Sequence, residues 1–429
     1  MISSTTLPRE TNVDEVESPR FPPPIASAAP RRTWLQNMSR RKLLRWLENV
    51  AGGQIRYADT SDVICFGDCS GDNLQADWGI NDPRFFSHLA SGGSIGFAES
   101  YLQGQWRSDD LTALLQIFCR NLSRTDEAET GFASFARWGR RLLNLWDGNT
   151  RRGSRKHIAA HYDLSNDFFA LFLDSTWMYS SAYFKHANMS LHDASVAKLQ
   201  LICEKLELRS SDRVLEIGTG WGGFALHAAK QGVRDLTTTT ISNSQFEKSR
   251  ARFQAAGVVD QIRLLNADYR DLIGQYDKIV SIEMVEAVGE KYLEGYFEQC
   301  AKLLKPGGRL VIQAIVMPED RYDTYRSSVD FIQSYIFPGG FLPSVAAMQA
   351  AIGRTSNLRL QSIEDLSPHY ATTLLHWRRR FFERLAEVRS LGFDDRFIRM
   401  WEYYLCYCEA AFREKTVGVV QIVWDKPTY

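Results

Sequence analysis

The chain has no surplus of either charge: 51 lysines and arginines face 51 aspartates and glutamates in 429 residues. A protein that coats nucleic acid carries a basic excess, so that class is excluded. Its 7 cysteines include no CxxC pair, and Cys406 and Cys408 are too close for the usual zinc spacing. An odd, scattered set argues against a disulfide framework or a structural metal and fits a reducing compartment. No apolar run approaches the ~20 residues that span a bilayer, and Met1 to Arg32 lacks the apolar core of a secretory signal. The expectation is a cytoplasmic protein. What is present is a rich supply of core, with 44% hydrophobic and 12% aromatic residues. The length calls for two or three domains.

The most informative stretch is Val214-Leu-Glu-Ile-Gly-Thr-Gly-Trp-Gly-Gly-Phe224. A short apolar strand, Val214 to Ile217, enters a turn carrying Gly218, Gly220, Gly222 and Gly223, and a helical pattern follows. Such a turn lets a ligand approach bare backbone N–H groups. Glu216 lies inside the strand and no Lys-Ser or Lys-Thr pair closes the loop, so this is not a phosphate-cradling P-loop. The spacing of Gly218, Gly220 and Gly223 also fits a dinucleotide fingerprint, which leaves NAD and S-adenosylmethionine both open.

The following strand decides between them. Asp235 to Ile241 leads into Thr239-Thr-Ile-Ser-Asn-Ser-Gln245, where a dinucleotide fold would place an acid on the ribose. Further strand-and-turn units follow at Leu264 to Asp271, Tyr276 to Met284 and Leu303 to Gln313, the spacing of successive β-α units. Their order, with Lys305-Pro-Gly-Gly308 before the last strand, resembles class I S-adenosylmethionine-dependent methyltransferases. The residues expected around the methyl donor are Tyr179, Ser180, Glu216, Gly218, Gly220, Gly222, Thr240, Ser242, Gln245, Asp268 and Tyr269.

The rest of the chain divides by composition. Residues 1–32 are Pro-, Ser- and Glu-rich and read as a disordered tail. Residues 33–125 read as a small α+β domain. It opens with a basic amphipathic helix, Trp34 to Leu47, placing Leu43, Leu44, Trp46 and Leu47 near one face between Arg40, Arg41, Lys42 and Arg45. That helix suits either an anionic membrane surface or packing on its own domain. Residues 126–156 form a linker with Trp138 and Trp146 among Arg137, Arg140, Arg141, Arg151, Arg152 and Arg155. Lipid headgroups or plain solvent suit it ahead of nucleic acid. Residues 157–429 hold the β-α units, then Phe337-Pro-Gly-Gly-Phe-Leu-Pro343, then a helical stretch, Ala371 to Phe412, crowded with aromatics, and a last strand, Val417 to Trp424. The aromatic stripe reads mainly as core, with part lining an acyl tunnel.

Residues 33–429 resemble the cyclopropane-fatty-acyl-phospholipid synthase and mycolic acid cyclopropane synthase family. The resemblance rests on His161-Tyr-Asp-Leu-Ser-Asn-Asp-Phe-Phe169, Met178-Tyr-Ser-Ser-Ala-Tyr-Phe184, the glycine loop with Trp221, Phe337 to Ser344, and Pro368-His-Tyr370. It implies an α/β fold: a class I methyltransferase, Rossmann-like domain with a helical acyl-binding insertion, preceded by the small α+β domain. It implies methyl transfer from S-adenosylmethionine to a cis double bond of phospholipid acyl chains at the inner face of the membrane. The family's bound bicarbonate, held by a glutamate, a histidine, a tyrosine and backbone groups, strips the final proton. Glu286 matches that glutamate, Tyr370 the tyrosine, and Cys408 a cysteine near the site, which reads more simply as a buried small residue.

Three departures weigh against bicarbonate. Ser181 replaces the cysteine of the family's Tyr-Ser-Cys-Ala-Tyr-Phe. Gln313 replaces the strand histidine and cannot carry its charge. The motif after the fourth strand, usually with a glycine and a Glu-His pair, reads Ser281-Ile-Glu-Met-Val-Glu-Ala-Val-Gly289, adding Glu283 and losing the histidine to Ala287. Glu283, with Glu286 and Gln313, is therefore expected either to replace bicarbonate or to hold another anion or water. The plainer alternative has Glu283 bonded to the donor's adenosine or to a backbone N–H. Methylation without ring closure, a small-molecule methyltransferase, and a silent lipid-binding protein remain as other outcomes. Monomer and homodimer both stay open.

Overall fold

The computed structural model describes residues 2–4, 32–68, 74–122 and 164–429. The linker 126–156, the boundary near residue 157, the first residues of the His161 motif and most of the tail lie outside the described residues. Part of the tail does not: β1 (Ile2–Ser4) is a strand that pairs in parallel with residues 363–365. Disorder was expected there, but an outer strand's unpaired backbone groups can capture any short extended segment.

In the small domain, α1 (Trp34–Leu47) begins at a capping box. Thr33 Oγ1 accepts from the Gln36 N–H at 3.3 Å, and Gln36 Oε1 accepts from the Thr33 N–H at 2.9 Å. A four-stranded sheet follows, from β2 (Gly53–Ala58), β3 (Val63–Gly67), β4 (Leu74–Ile80) and, after α2 (Arg84–Leu102), β5 (Trp106–Arg107), in the order β3-β2-β4-β5. Period-two alternation turns Ile55 and Tyr57 of β2 inward, while Arg56 points outward to Asp77 at 2.8 Å. α3 (Leu111–Arg120) starts where Asp110 accepts from the Ala113 N–H at 2.8 Å. Trp78 centres this half, edge-on to Tyr57, Phe85, Trp106 and Phe118.

The larger half runs α4 (Asn166–Phe172), α5 (Leu191–Leu206), β6 (Arg213–Ile217), α6 (Gly223–Lys230), β7 (Asp235–Thr240), α7 (Asn243–Ala255), β8 (Ile262–Asn266), β9 (Tyr276–Ile282), α8 (Leu293–Leu303) and β10 (Leu304–Val316). It closes with α9 (Glu319–Arg326), α10 (Val345–Thr355), β11 (Arg359–Asp365), α11 (Ser367–Glu383), α12 (Leu385–Ser390), α13 (Asp395–Arg413) and β12 (Gly418–Asp425). The sheet order is β1-β11-β12-β10-β9-β6-β7-β8, with β10, β9, β6, β7 and β8 parallel and β12 antiparallel to both its neighbours. Strand order reverses between β6 and β9, so the carboxyl ends of these two strands flank the crevice where such sheets bind ligands. The helical stretch expected from Ala371 to Phe412 is three helices, broken at Arg384 and again at Gly392, whose φ is +92°.

The two halves share one core. Phe97 and Tyr101 of α2 lie 6.4 and 5.7 Å from the Tyr403 ring of α13. Tyr101 also donates to buried Glu402 Oε2 at 2.7 Å, and Glu414 accepts from Gln116 and Arg120 at 2.8 Å. The small domain is thus packed onto the wall of the larger one. Tyr101→Phe removes one donor from buried Glu402 and should cost about 1–3 kcal/mol. A urea midpoint equal to wild type would contradict that role.

Candidate active site

A cavity of about 1650 Å³ opens at the carboxyl ends of β6, β7 and β9 and extends to α1 and α2. Its first end is formed by the glycine loop. Gly218, Gly220 and Gly222 have φ of 97°, 51° and 80°, a region that favours glycine. They do different work. A Cβ at Gly220 would meet nothing within 4 Å, so this residue borders open space, whereas one at Gly222 would strike the Phe253 ring at 2.6 Å. Gly222 lets α6 close on α7 and does not line the cavity. Ser242 does not line it either; it caps α7, accepting from the Gln245 N–H at 3.3 Å.

The other residues expected around the donor do border this end: Tyr179, Ser180, Glu216, Gly218, Gly220, Thr240, Gln245, Asp268 and Tyr269. Buried Glu216 accepts from Thr238 Oγ1 at 2.6 Å, and burial pushes its carboxyl up to about 8. Thr240 Oγ1 donates to Gln245 Oε1 at 2.8 Å. Asp268 accepts from the Arg270 N–H at 3.0 Å and from its guanidinium at 2.8 Å. Open space over Gly220, with carboxyl and hydroxyl groups at the strand ends, fits a nucleoside-bearing sulfonium. Sequence reasoning passed over Trp177 at this rim, a bulky residue with φ of 60°. Nothing in its spacing marks it.

The second feature is an acidic knot where β9 ends. Glu283 has φ of 47°, a left-handed backbone that costs a non-glycine residue about 1–2 kcal/mol. Its Oε1 accepts from the Ser181 N–H at 2.8 Å and from Gln313 Nε2 at 2.7 Å, and its Oε2 from the Tyr370 hydroxyl at 2.8 Å. Gln421 donates to Gln313 Oε1 at 2.9 Å, which turns the Gln313 amide nitrogen toward Glu283. Burial raises the Glu283 carboxyl's affinity for a proton, and these donors oppose the rise. Ser181 and Gln313 are not on the cavity wall; they act on it through Glu283.

Glu286 Oε1 accepts from the Ile315 N–H at 2.5 Å, while its buried Oε2 has no partner among the described residues. Burial, then the Glu283 charge, pushes Glu286 up to about 8. Cys408 lies on the wall with its thiol raised by burial, so it stays protonated and is not an activated nucleophile. Tyr370, matched with the bicarbonate site, and Ser181 and Gln313, which replace its cysteine and histidine, all donate to the Glu283 carboxylate, so these three donors do not fit a separate bicarbonate.

Beyond the knot the wall is mainly apolar and aromatic, with Arg321, Asp330 and Gln333 also on it. Tyr403, Tyr404, Tyr407 and Phe412 face it from α13, whereas Trp377, Phe381 and Trp401 lie in the core. It continues past Phe331 and Phe337 to Leu35, Met38 and Trp46 of α1 and Phe97 of α2.

The mycolic acid cyclopropane synthetase family matches residues 149–422. The chain is 40% identical over 340 residues to a tuberculostearic acid methyltransferase of Mycobacterium tuberculosis, covering 77% of this chain and 78% of that protein. It is 35% identical to the cyclopropane-fatty-acyl-phospholipid synthase of Escherichia coli, covering 82% and 88%. Among solved structures, the cyclopropane synthase MmaA2 of Mycobacterium tuberculosis superposes with a TM-score of 0.59 at 29% identity, covering 63% of this chain and 98% of that one. A mycolic acid cyclopropane synthase bound to S-adenosylhomocysteine gives 0.60 at 29%, covering 63% and 98%. The chain belongs to the mycolic acid cyclopropane synthetase family. It is an S-adenosylmethionine-dependent methyltransferase of the class I α/β fold.

The two glycines should separate on substitution. Gly220→Val fills open space at the donor end and should weaken donor binding by about ten-fold or more, measured by calorimetry on folded protein. Gly222→Ala should act through folding, since its Cβ meets a packed ring. Wild-type donor affinity in Gly220→Val would sink the placement.

Proposed function

We propose that this member of the family transfers a methyl group from S-adenosylmethionine to the cis double bond of unsaturated fatty acyl chains of phospholipids, with Glu283 receiving the proton that the reaction releases. The observation that carries this is the half-buried Glu283 carboxylate, which borders the cavity near the glycine loop and is held by three donors. S-adenosylmethionine supplies an electrophilic methyl group when bound. An alkene is a weak nucleophile, so the chain's contribution is to hold it close and in line, where proximity can supply much of the rate. The new C–C bond uses the alkene's π pair and leaves positive charge on the neighbouring carbon. The faces of Tyr179, Phe337 and Tyr404, which border the cavity, can stabilise that charge. The apolar wall keeps water from quenching it.

One proton must then leave. When it is lost from the added methyl group, the freed C–H pair closes a cyclopropane ring and the proton passes to a Glu283 oxygen. A carboxyl whose proton affinity is raised by burial suits this task near neutral pH. A second reading, a methyl- or methylene-branched chain without ring closure, is favoured by the likeness to a tuberculostearic acid methyltransferase. In that reading the proton lost from carbon leaves its C–H pair as a new double bond, giving a methylene-branched or methyl-branched unsaturated chain, and the same carboxylate accepts the proton.

Access to the acyl chain points to α1. Leu43, Leu44, Trp46 and Leu47 pack on the core, while Trp34, Leu35 and Met38 are 73%, 60% and 40% exposed. Leu35 and Met38 also border the cavity, so it reaches the surface beside them. Exposed Arg41, Lys42 and Arg45 give this mouth the charge for an anionic bilayer. Among the described residues no helix is long and apolar enough to cross a membrane. The enzyme would work from the membrane surface.

Labelled donor, unsaturated phospholipid vesicles and mass spectrometry of the acyl product test the reaction. Glu283→Gln should still bind donor but lose about 10²–10⁴-fold in turnover, and bicarbonate should not stimulate the wild type. Normal turnover in Glu283→Gln with unchanged product, or a strict need for bicarbonate, would rule the carboxylate out. Cosedimentation with vesicles should require anionic lipid and fall with salt, because surface charge is screened over roughly 8–10 Å at physiological strength. Salt-insensitive binding to neutral vesicles would defeat the α1 assignment.

A further inference from the structure

Helix α5 packs an apolar face onto the sheet through Ala194, Ala197, Leu199 and Ile202, yet Lys198 is buried among them at 0% exposure. The other buried cation among the described residues, Arg378, lies against the Glu409 carboxylate at 3.2 Å. Lys198 Nζ instead donates to a neutral group, Ser180 Oγ, at 2.8 Å. Ser180 borders the cavity, and the N–H of the next residue, Ser181, is one of the three donors to Glu283. The ammonium therefore stands behind the loop that holds the carboxylate.

We propose that Lys198 is a positioning residue for the reaction: its buried charge, set behind the Ser180–Ser181 loop, keeps Glu283 in the carboxylate form that can accept a proton. The inference rests on the reading of Glu283 as proton acceptor. Its argument is one of charge. Four carboxyl groups line this end of the cavity; Asp268 is paired with Arg270, whereas for Glu216, Glu283 and Glu286 burial favours the neutral form. A neutral carboxylic acid has no basic oxygen to offer. The donors to Glu283 from Ser181, Gln313 and Tyr370 are all uncharged, so only a nearby cation can supply a full opposing charge.

Lys198 has that position. The charged and titratable groups facing it are Glu283, Asp174 and Glu216, with His227 on α6. Those facing Glu283 are Lys198, Glu286 and the Tyr370 phenol. Asp174 is already engaged, accepting from Thr176 N–H at 2.8 Å, Thr176 Oγ1 at 2.7 Å and Ser195 Oγ at 3.1 Å. Those bonds do not cancel its charge, so Lys198 acts on Asp174 as well as on the cavity carboxyls, with Glu283 the strongest of its charged neighbours. Burial lowers its own proton affinity to about 8, and the facing carboxyls oppose that fall.

The test is the pH profile of turnover in the full chain with unsaturated phospholipid vesicles. Removing the charge raises the proton affinity of Glu283, so the acid limb for Lys198→Met should move about 1 pH unit or more to the alkaline side. The rate should recover toward wild type at high pH. Lys198→Arg keeps the charge and should keep the wild-type limb. A purely structural lysine would lower the rate at every pH without moving the limb, and that result in folded, donor-binding Lys198→Met overturns the proposal. A shifted limb in Lys198→Arg overturns it as well, and this arm stands if the methionine variant does not fold. Glu283→Gln, run alongside, separates the two claims. If it retains turnover, the proton-acceptor reading falls; if it loses turnover while Lys198→Met leaves the limb in place, only the lysine proposal falls.

Discussion

The burial of one carboxylate governs this active site. Glu283 and Gln313 are bonded twice, once by backbone and once by side chain. The Glu283 N–H donates to the Gln313 carbonyl at 2.8 Å, extending the β9–β10 ladder one step past its last paired residues. The Gln313 amide then donates back to Glu283 Oε1 at 2.7 Å. The residue that makes both bonds has a left-handed φ of 47°. A strained backbone at such a point persists because its surroundings over-determine it. The Ser181 loop, the β10 amide and the α11 phenol all converge on the same two oxygens.

Packing links the small domain to this site. α11 and α13 carry Tyr370 and the aromatic cavity wall, and both belong to the core that includes Trp78, Phe97 and Tyr101 of the small domain. Glu402 and Glu414 tie α13 and the residue just after it to α2 and α3. The position of the Tyr370 hydroxyl therefore depends on packing that begins some 270 residues earlier in the chain, at Tyr101. The same arrangement places the α1 mouth and the donor end on one continuous cavity.

Much of this was legible before any coordinates. The strand–glycine–helix stretch pointed to the end of the cavity beside Gly220, and the extra acid at Glu283 was read together with Glu286 and Gln313, while Tyr370 entered only through the family resemblance. What the spacing could not tell is which glycine faces space and which faces a ring. Gly220 and Gly222 differ by two positions in one loop, and the distinction comes from Phe253, on another helix. Ser242 stands in the same loop as Thr240 but spends its hydroxyl on a helix cap. The apolar pattern of α1 was visible, yet only packing shows that Leu43, Leu44, Trp46 and Leu47 face the core while Trp34, Leu35 and Met38 face out. Lys198 had a signal, a lone charge on an apolar helix face, but its meaning lies in carboxyls distant in sequence.

A tethered carboxylate and a bound anion solve the same problem with different costs. A free anion must be captured from solution and desolvated for each site it fills, so its occupancy depends on concentration. A side-chain carboxylate is always present, and folding meets the desolvation cost. The penalty here is a left-handed backbone at Glu283 and a buried acid that would rather be neutral. Hydrogen bonds offset the second part, yet each comes from an uncharged group. The remaining imbalance is one of net charge, which neutral donors cannot remove. A cation kept out of ion-pair contact can offset it without consuming the carboxylate's lone pairs, because Coulomb attraction reaches farther than a hydrogen bond. Lys198, bonded to a hydroxyl and facing the acids across a loop, has that geometry.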